Sequence, residues 1–165
     1  AVDVRRADLL ELALDEPVDA VLSTATFHWI PDHDALFANL AAALRPEGRL
    51  AAQCGGAGNL ATVVRALEEV GADPFTEKVF ATPERTSERL WVAGFADVKC
   101  WLHAEPTPFE TLEALETFLR TVALGGHVAT MGDDEAEAFV HAVAERLPRL
   151  ELDYVRLNID ARRAG

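Results

Sequence analysis

Two apolar runs of strand length, each followed by a segment with helical spacing, constrain this chain more than any other feature. Residues 18–26, Val-Asp-Ala-Val-Leu-Ser-Thr-Ala-Thr, are apolar and β-branched and end in small polar residues, which predicts a strand buried on both faces. After Phe27-His28-Trp29-Ile30-Pro31 comes an Asp-rich cap at Asp32 to Asp34. Leu36, Phe37, Leu40, Ala41 and Leu44 then recur at helical spacing until Pro46-Glu47-Gly48 stops the helix. Arg49 to Cys54 reads as a second short strand, and Gly55-Gly56-Ala57-Gly58 breaks it. Asn59 is placed to cap a helix whose Leu60, Val63, Val64, Leu67 and Val70 line one face before Gly71. Strand, helix, strand, helix predicts an α/β fold with a mainly parallel sheet.

The remainder continues the alternation less regularly. Val2 to Arg6 has strand character, and residues 72–85 read as a Pro-bearing loop. Thr86 to Ala93 suits a short helix closed by Gly94, and Ala96 to His103 alternates Val98, Cys100 and Leu102 against polar or aromatic neighbours. Thr107-Pro108-Phe109-Glu110 has the form of a capping box with proline at the first helical position. Leu112, Leu115, Phe118, Leu119 and Val122 supply the stripe of the helix behind it. Asp133 starts another helix, and Leu150 to Ala161 is the last strand. With no repeat, linker or low-complexity tract, residues 1–165 read as part of one domain.

Charge narrows the function classes. The 165 residues carry 28 acidic and 15 basic side chains, a formal net charge of −13, which argues against a nonspecific grip on phosphate backbones or anionic lipid. Neither nucleic acid nor membrane is an expected partner. Cys54 and Cys100 each sit in an apolar strand, as buried thiols of a reducing compartment do, and a cytoplasmic location is the expectation. His103, His127 and His141 have no metal-ligand spacing, so no metal site is predicted.

Three segments in order carry a resemblance: Ala7-Asp8-Leu9-Leu10, then Asp19 through Ser23-Thr24-Ala25-Thr26-Phe27-His28-Trp29-Ile30-Pro31-Asp32, then Leu44-Arg45-Pro46-Glu47-Gly48-Arg49-Leu50. In this the chain resembles S-adenosylmethionine-dependent small-molecule methyltransferases with a Rossmann-like fold, the group that includes trans-aconitate methyltransferase. The resemblance implies an incomplete Rossmann-like sheet, mainly parallel with an antiparallel last strand, and a helical lid at about 107–147. It implies S-adenosylmethionine as cofactor and a small molecule, such as a carboxylic acid, as methyl acceptor. Asp8 and Leu9 would correspond to the adenine-binding position, Asp8 accepting from the exocyclic amine. Ser23, Thr24 and Ala25 would lie beside the sulfonium. His28 and Trp29 would face the acceptor, with His28 the base if the acceptor is a hydroxyl or amine. The family's glycine-rich G-x-G loop and ribose-binding carboxylate have no counterpart here, so this chain alone is expected to bind cofactor weakly. A sheet begun this way leaves a parallel edge through which a homodimer is expected.

Each residue also has a plainer reading. Asp8 suits a loop cap, and His28 and Trp29 suit a pair covering the core at a strand end. His33 among aspartates reads as solvated, and Trp91, Trp101 and Phe118 read as packing residues. Gly55 to Gly58 lacks G-x-G-x-x-G spacing, which weakens a dinucleotide-dependent oxidoreductase. A second class of function stays open: a noncatalytic module of this fold that binds a partner protein or an apolar ligand. For a carboxylate acceptor, Arg120 and His127 of the lid are candidate partners.

Overall fold

A computed structural model describes residues 2–75 and 77–165. It divides into two compact units, residues 2–57, 77–103 and 156–165 forming the first and 58–75 with 104–155 the second.

The first unit is a four-stranded sheet with helices against one face. β1 (Val18–Thr24) leads through a 3₁₀ turn (Phe27–Trp29) into α1 (His33–Ala43), and β2 (Leu44–Gly55) follows at once. Asp32 caps α1, its carboxylate accepting from the Ala35 N–H at 2.9 Å. α3 (Pro83–Val92), capped by Thr82, precedes β3 (Phe95–Ala104), and β6 (Val155–Arg163) closes the chain. Strand order is β1-β2-β6-β3; β1 runs parallel to β2, while β6 runs antiparallel beside it. The expected α/β architecture with an antiparallel last strand is therefore present. The core lies on one face: Leu50 and Cys54 of β2, Leu157, Ile159 and Ala161 of β6, and Leu36, Phe37, Leu40 and Leu90 of the helices. These alternate along each strand with side chains on the opposite face, as the two-residue period requires.

The second unit is mostly helical. It holds α2 (Ala61–Glu69), α4 (Leu112–Phe118) continued by a π-helical turn at Leu119–Ala123, α5 (Gly125–Val128) and α6 (Asp133–Ala144). A short ladder joins β4 (Thr107–Pro108) and β5 (Glu151–Leu152). Its interior is built from Val63, Leu67, Leu115, Leu119, Leu124, Val140 and Val143, all buried.

Several sequence expectations are corrected. Val2 to Arg6 forms no strand. β1 is not buried on both faces: Leu22 is 79% exposed, because nothing among the described residues covers that face of the sheet. Asn59 does not cap α2. Its side chain is buried and accepts from the Val155 N–H at 2.9 Å, while Leu60 in the left-handed region precedes the helix. Thr107 pairs in β4, and Thr111 caps α4 instead, accepting from the Ala114 N–H at 3.1 Å. The last strand is interrupted between β5 and β6. Trp91 and Trp101, expected to pack, are 58% and 49% exposed.

Candidate functional site

The strand end of β1 and the turn after it organise the candidate site. β1 ends at Thr24, and Ala25 takes a φ of 53°, a conformation that costs a residue with a Cβ about a kilocalorie per mole. The Ala25 N–H still donates to Gln53 O at 2.8 Å, and the Thr26 hydroxyl donates to Thr24 O at 2.9 Å. The chain thus breaks sharply at three small residues, Ser23, Thr24 and Ala25. Ser23 and Thr24 also line a groove of about 270 Å³ on the open sheet face, with Leu22, Ala51, Gln53 and Trp101.

The turn at Phe27–Trp29 is anchored from beneath and presents His28 and Trp29. Phe27 is buried and packs edge-on against Phe37 of α1, ring centres 6.0 Å apart. His33 is buried rather than solvated: its Nε2–H donates to Phe27 O at 3.0 Å, and its Nδ1 accepts from Arg89 Nη1 at 3.4 Å. Arg89 also pairs with Asp34 at 3.2 Å. Burial pushes the His33 pKa below the usual imidazole range, the Phe27 carbonyl working the other way.

His28 is held by the end of β2. The Gly55 N–H donates to His28 Nδ1 at 3.3 Å, which leaves the ring proton on Nε2, and His28 O accepts from the Val79 N–H at 2.8 Å. The ring lies 5.3 Å from Trp29 and 6.0 Å from Phe80. Burial, then the positive charges of Lys78 and Arg156, lower its pKa to about 4. Trp29 is 46% exposed, with the Lys78 ammonium 4.6 Å from its ring centre, a cation–π arrangement. Neighbouring Cys54 is buried and its thiol is raised to about 11, so it is no nucleophile.

Asp8 and Leu9 lie in a turn before β1. Asp8 is exposed, and its Oδ1 accepts from the Leu10 N–H at 2.9 Å, the loop-cap geometry. Leu9 packs on the core of the first unit, and Asn39 of α1 donates to Leu9 O at 3.1 Å. Helix α1 therefore touches both this segment and the His28 turn. Asn39, His33 and Lys78 were not among the candidates read from sequence. A signal existed for His33, which shares a helical stripe with Leu36, Phe37 and Leu40.

The glycine run serves packing. A Cβ on Gly56 would lie 2.6 Å from Leu102 Cδ2 and 2.8 Å from Leu157 Cβ, so this backbone is pressed against β3 and β6. That requirement accounts for Gly56 without a phosphate. In the second unit Arg120 is engaged by Asp133 at 2.7 Å, and His127 Nε2 donates to Asp73 O at 2.9 Å. Among the described residues no three His, Cys, Asp or Glu side chains gather as metal ligands, and no helix is long and apolar enough to cross a membrane.

Comparison with known proteins bears on the fold and on what the sequence resembles. The family described as "Methyltransferase domain" matches residues 1–52. The chain is 29% identical to a trans-aconitate 2-methyltransferase of Rhizobium etli, over 92% of its own length and 61% of the relative's. A second, of Klebsiella pneumoniae, is 26% identical over 95% of this chain and 66% of that protein. The chain thus spans under two thirds of these relatives. A phosphoethanolamine N-methyltransferase 2 of Haemonchus contortus, solved in complex with S-adenosyl-L-methionine, superposes with a TM-score of 0.54 at 21% identity. The match covers 96% of this chain and 36% of that one. The fold is that of the Rossmann-like methyltransferases, and it is the S-adenosylmethionine-dependent enzymes that the sequence resembles.

Proposed function

We propose that this chain is part of an S-adenosylmethionine-dependent methyltransferase acting on a small carboxylic acid. The observation that carries the proposal is the likeness to a trans-aconitate 2-methyltransferase along 92% of the chain. The residues present fit such a cofactor. Asp8 offers the carboxylate oxygen not used by Leu10, at a segment Asn39 holds in place, and Ser23, Thr24 and Ala25 leave the strand end free of bulk. Their use as the adenine and sulfonium positions is part of the proposal. When bound, S-adenosylmethionine supplies a methyl carbon whose bond to sulfur breaks as an acceptor oxygen attacks in line.

The chain's own task is then orientation and exclusion of water. His28, with a pKa of about 4, is neutral at pH 7 and a weak base, ill matched to deprotonating a hydroxyl or amine. An acceptor already ionised at neutral pH needs no such proton transfer. His28 Nε2–H instead donates a hydrogen bond, and Trp29 shields one side of the acceptor.

The test is calorimetric titration of the full-length protein with S-adenosylmethionine, followed by mass spectrometry of its products with small di- and tricarboxylic acids. Saturable binding and a methyl ester are expected. Absence of cofactor binding overturns the proposal and favours the noncatalytic module, to which the open sheet face with Leu22 and Trp101 would offer a docking surface.

A further inference from the structure

We infer that Arg89 is a positioning residue for the acceptor site: by donating to His33 Nδ1 it leaves the ring proton on Nε2, which grips the Phe27 carbonyl and so fixes the turn presenting His28 and Trp29. What that turn does rests on the methyltransferase reading; how it is held rests on hydrogen-bond geometry.

The chemistry of the two partners fixes the roles of the ring nitrogens. A carbonyl oxygen only accepts, so His33 Nε2, 3.0 Å from Phe27 O, carries the proton. A guanidinium only donates, so Nδ1, 3.4 Å from Arg89 Nη1, is the acceptor. Both contacts demand one tautomer, and an imidazolium would set N–H against N–H. With 2% of its surface exposed, His33 has little water to replace either partner. Phe27 O also accepts from the Ile30 N–H at 3.0 Å, so one of its lone pairs is filled by the turn itself and the other by α1. Arg89 reaches the ring from α3 and is itself aimed, its Nε pairing with Asp34 at 3.2 Å while Nη1 faces His33. The two ends of a rigid fork make two different bonds, which a single ammonium does not reproduce. A chain of contacts therefore runs from α3 through α1 to the carbonyl at the base of the turn, next to His28. The charged and titratable groups facing His33 are Arg89 of α3, Asp34 and Asp32 at the start of its own helix, and His28 of the turn. Without Arg89 the ring keeps a buried acceptor with no donor, or takes a second proton that the two carboxylates favour.

The test uses the full-length protein, S-adenosylmethionine and trans-aconitate, with NMR of the imidazole nitrogens read beside turnover. His33 resonances are assigned by their loss in His33→Gln. In wild type at pH 7 only Nε2 should carry a proton. In Arg89→Met, which keeps the aliphatic stem, the His33 titration should move up, since burial remains but the cation does not. The same variant should lower kcat about tenfold, with the Kd for S-adenosylmethionine changed less than about twofold. Arg89→Lys should recover part of the loss and carries the same comparison should Arg89→Met not fold. Arg85→Met, at an exposed pair with Glu88, should change nothing. A glutamine amide donates to Phe27 O whatever lies behind it, so in the His33→Gln background Arg89→Met should cost less than about twofold in kcat. Circular dichroism at the assay temperature checks that each variant is folded. A His33 that titrates alike in wild type and Arg89→Met, or a kcat loss equal in both backgrounds, overturns the inference. A wild type without methyl transfer overturns the methyltransferase reading instead, and the titration alone then decides the inference.

Discussion

His28 and His33 are both held neutral, and the consequence is a pH dependence with a definite sign. The folded pKa of His28, about 4, lies below the ordinary value of 6.5, so between those limits the unfolded chain binds a proton that the folded chain does not. Stability is full above about pH 6.5 and falls as pH drops towards 4. His33, lowered chiefly by burial, acts in the same direction. The cost from His28 is on the order of 2 kcal/mol by pH 4. Urea denaturation at pH 7 and 4.5 should show the loss, with a smaller slope in His28→Gln. A loss of about 10²–10⁴ in kcat for the same variant at pH 7 would instead mark His28 as the base. His33→Ala should destabilise by about 1–3 kcal/mol, since it removes a buried ring from the face of α1 and one of the two donors to the Phe27 carbonyl, the Ile30 N–H remaining. The charged neighbours Asp32 and Asp34 make His33 look solvated in sequence. The helical stripe it shares with Leu36, Phe37 and Leu40 is the stronger signal, because it fixes which face of α1 the ring occupies.

Elements were legible where a long apolar period ran unbroken. α1, β3 and α6 lie close to where periodicity places them, whereas β2 starts at Leu44 and takes in the Pro46-Glu47-Gly48 segment read as a helix stop. Boundaries failed where two local choices compete. Thr107 and Thr111 are both plausible caps, and ladder bonds to β5 take the first and leave the second to α4. Asn59 has the chemistry of a cap and is used instead to satisfy the Val155 N–H. Such outcomes depend on partners 45 residues away for Thr107, which pairs with Leu152, and 96 away for Asn59, beyond any local window. Gly56 is another case: its role follows from how closely β3 and β6 approach, and Gly56→Ala should cost about 1–3 kcal/mol by overpacking, read as a lowered denaturation midpoint. Asn39→Ala should speed hydrogen exchange at Leu10 and Glu11 more than in the β2 core, because it frees the carbonyls that Asn39 holds.

At the scale of the molecule, the feature that invites a partner is the sheet of the first unit. β1 is paired on one side, with β2, among the described residues, and its outer face presents Leu22 beside cross-strand pairs such as Gln53 with Asn158 at 2.9 Å. We propose that a second copy pairs along this edge. Sedimentation of the 165-residue chain should then show a concentration-dependent dimer that Leu22→Lys weakens, and a monomer at all concentrations overturns the idea. The sequence by itself determined the α/β class and the strand-end segment from Ser23 to Trp29, because a two- or 3.6-residue apolar period and small residues at a strand end are local properties; the antiparallel direction of the last strand was implied only by the resemblance. It could not determine which residues surround His28, that His33 is buried, or that one sheet face lies open. Those depend on which distant segments pack together: Gly55 and Lys78 become neighbours of the His28 turn through the fold alone, and the desolvation that lowers the basicity of the His28 ring exists only once the chain has closed around it.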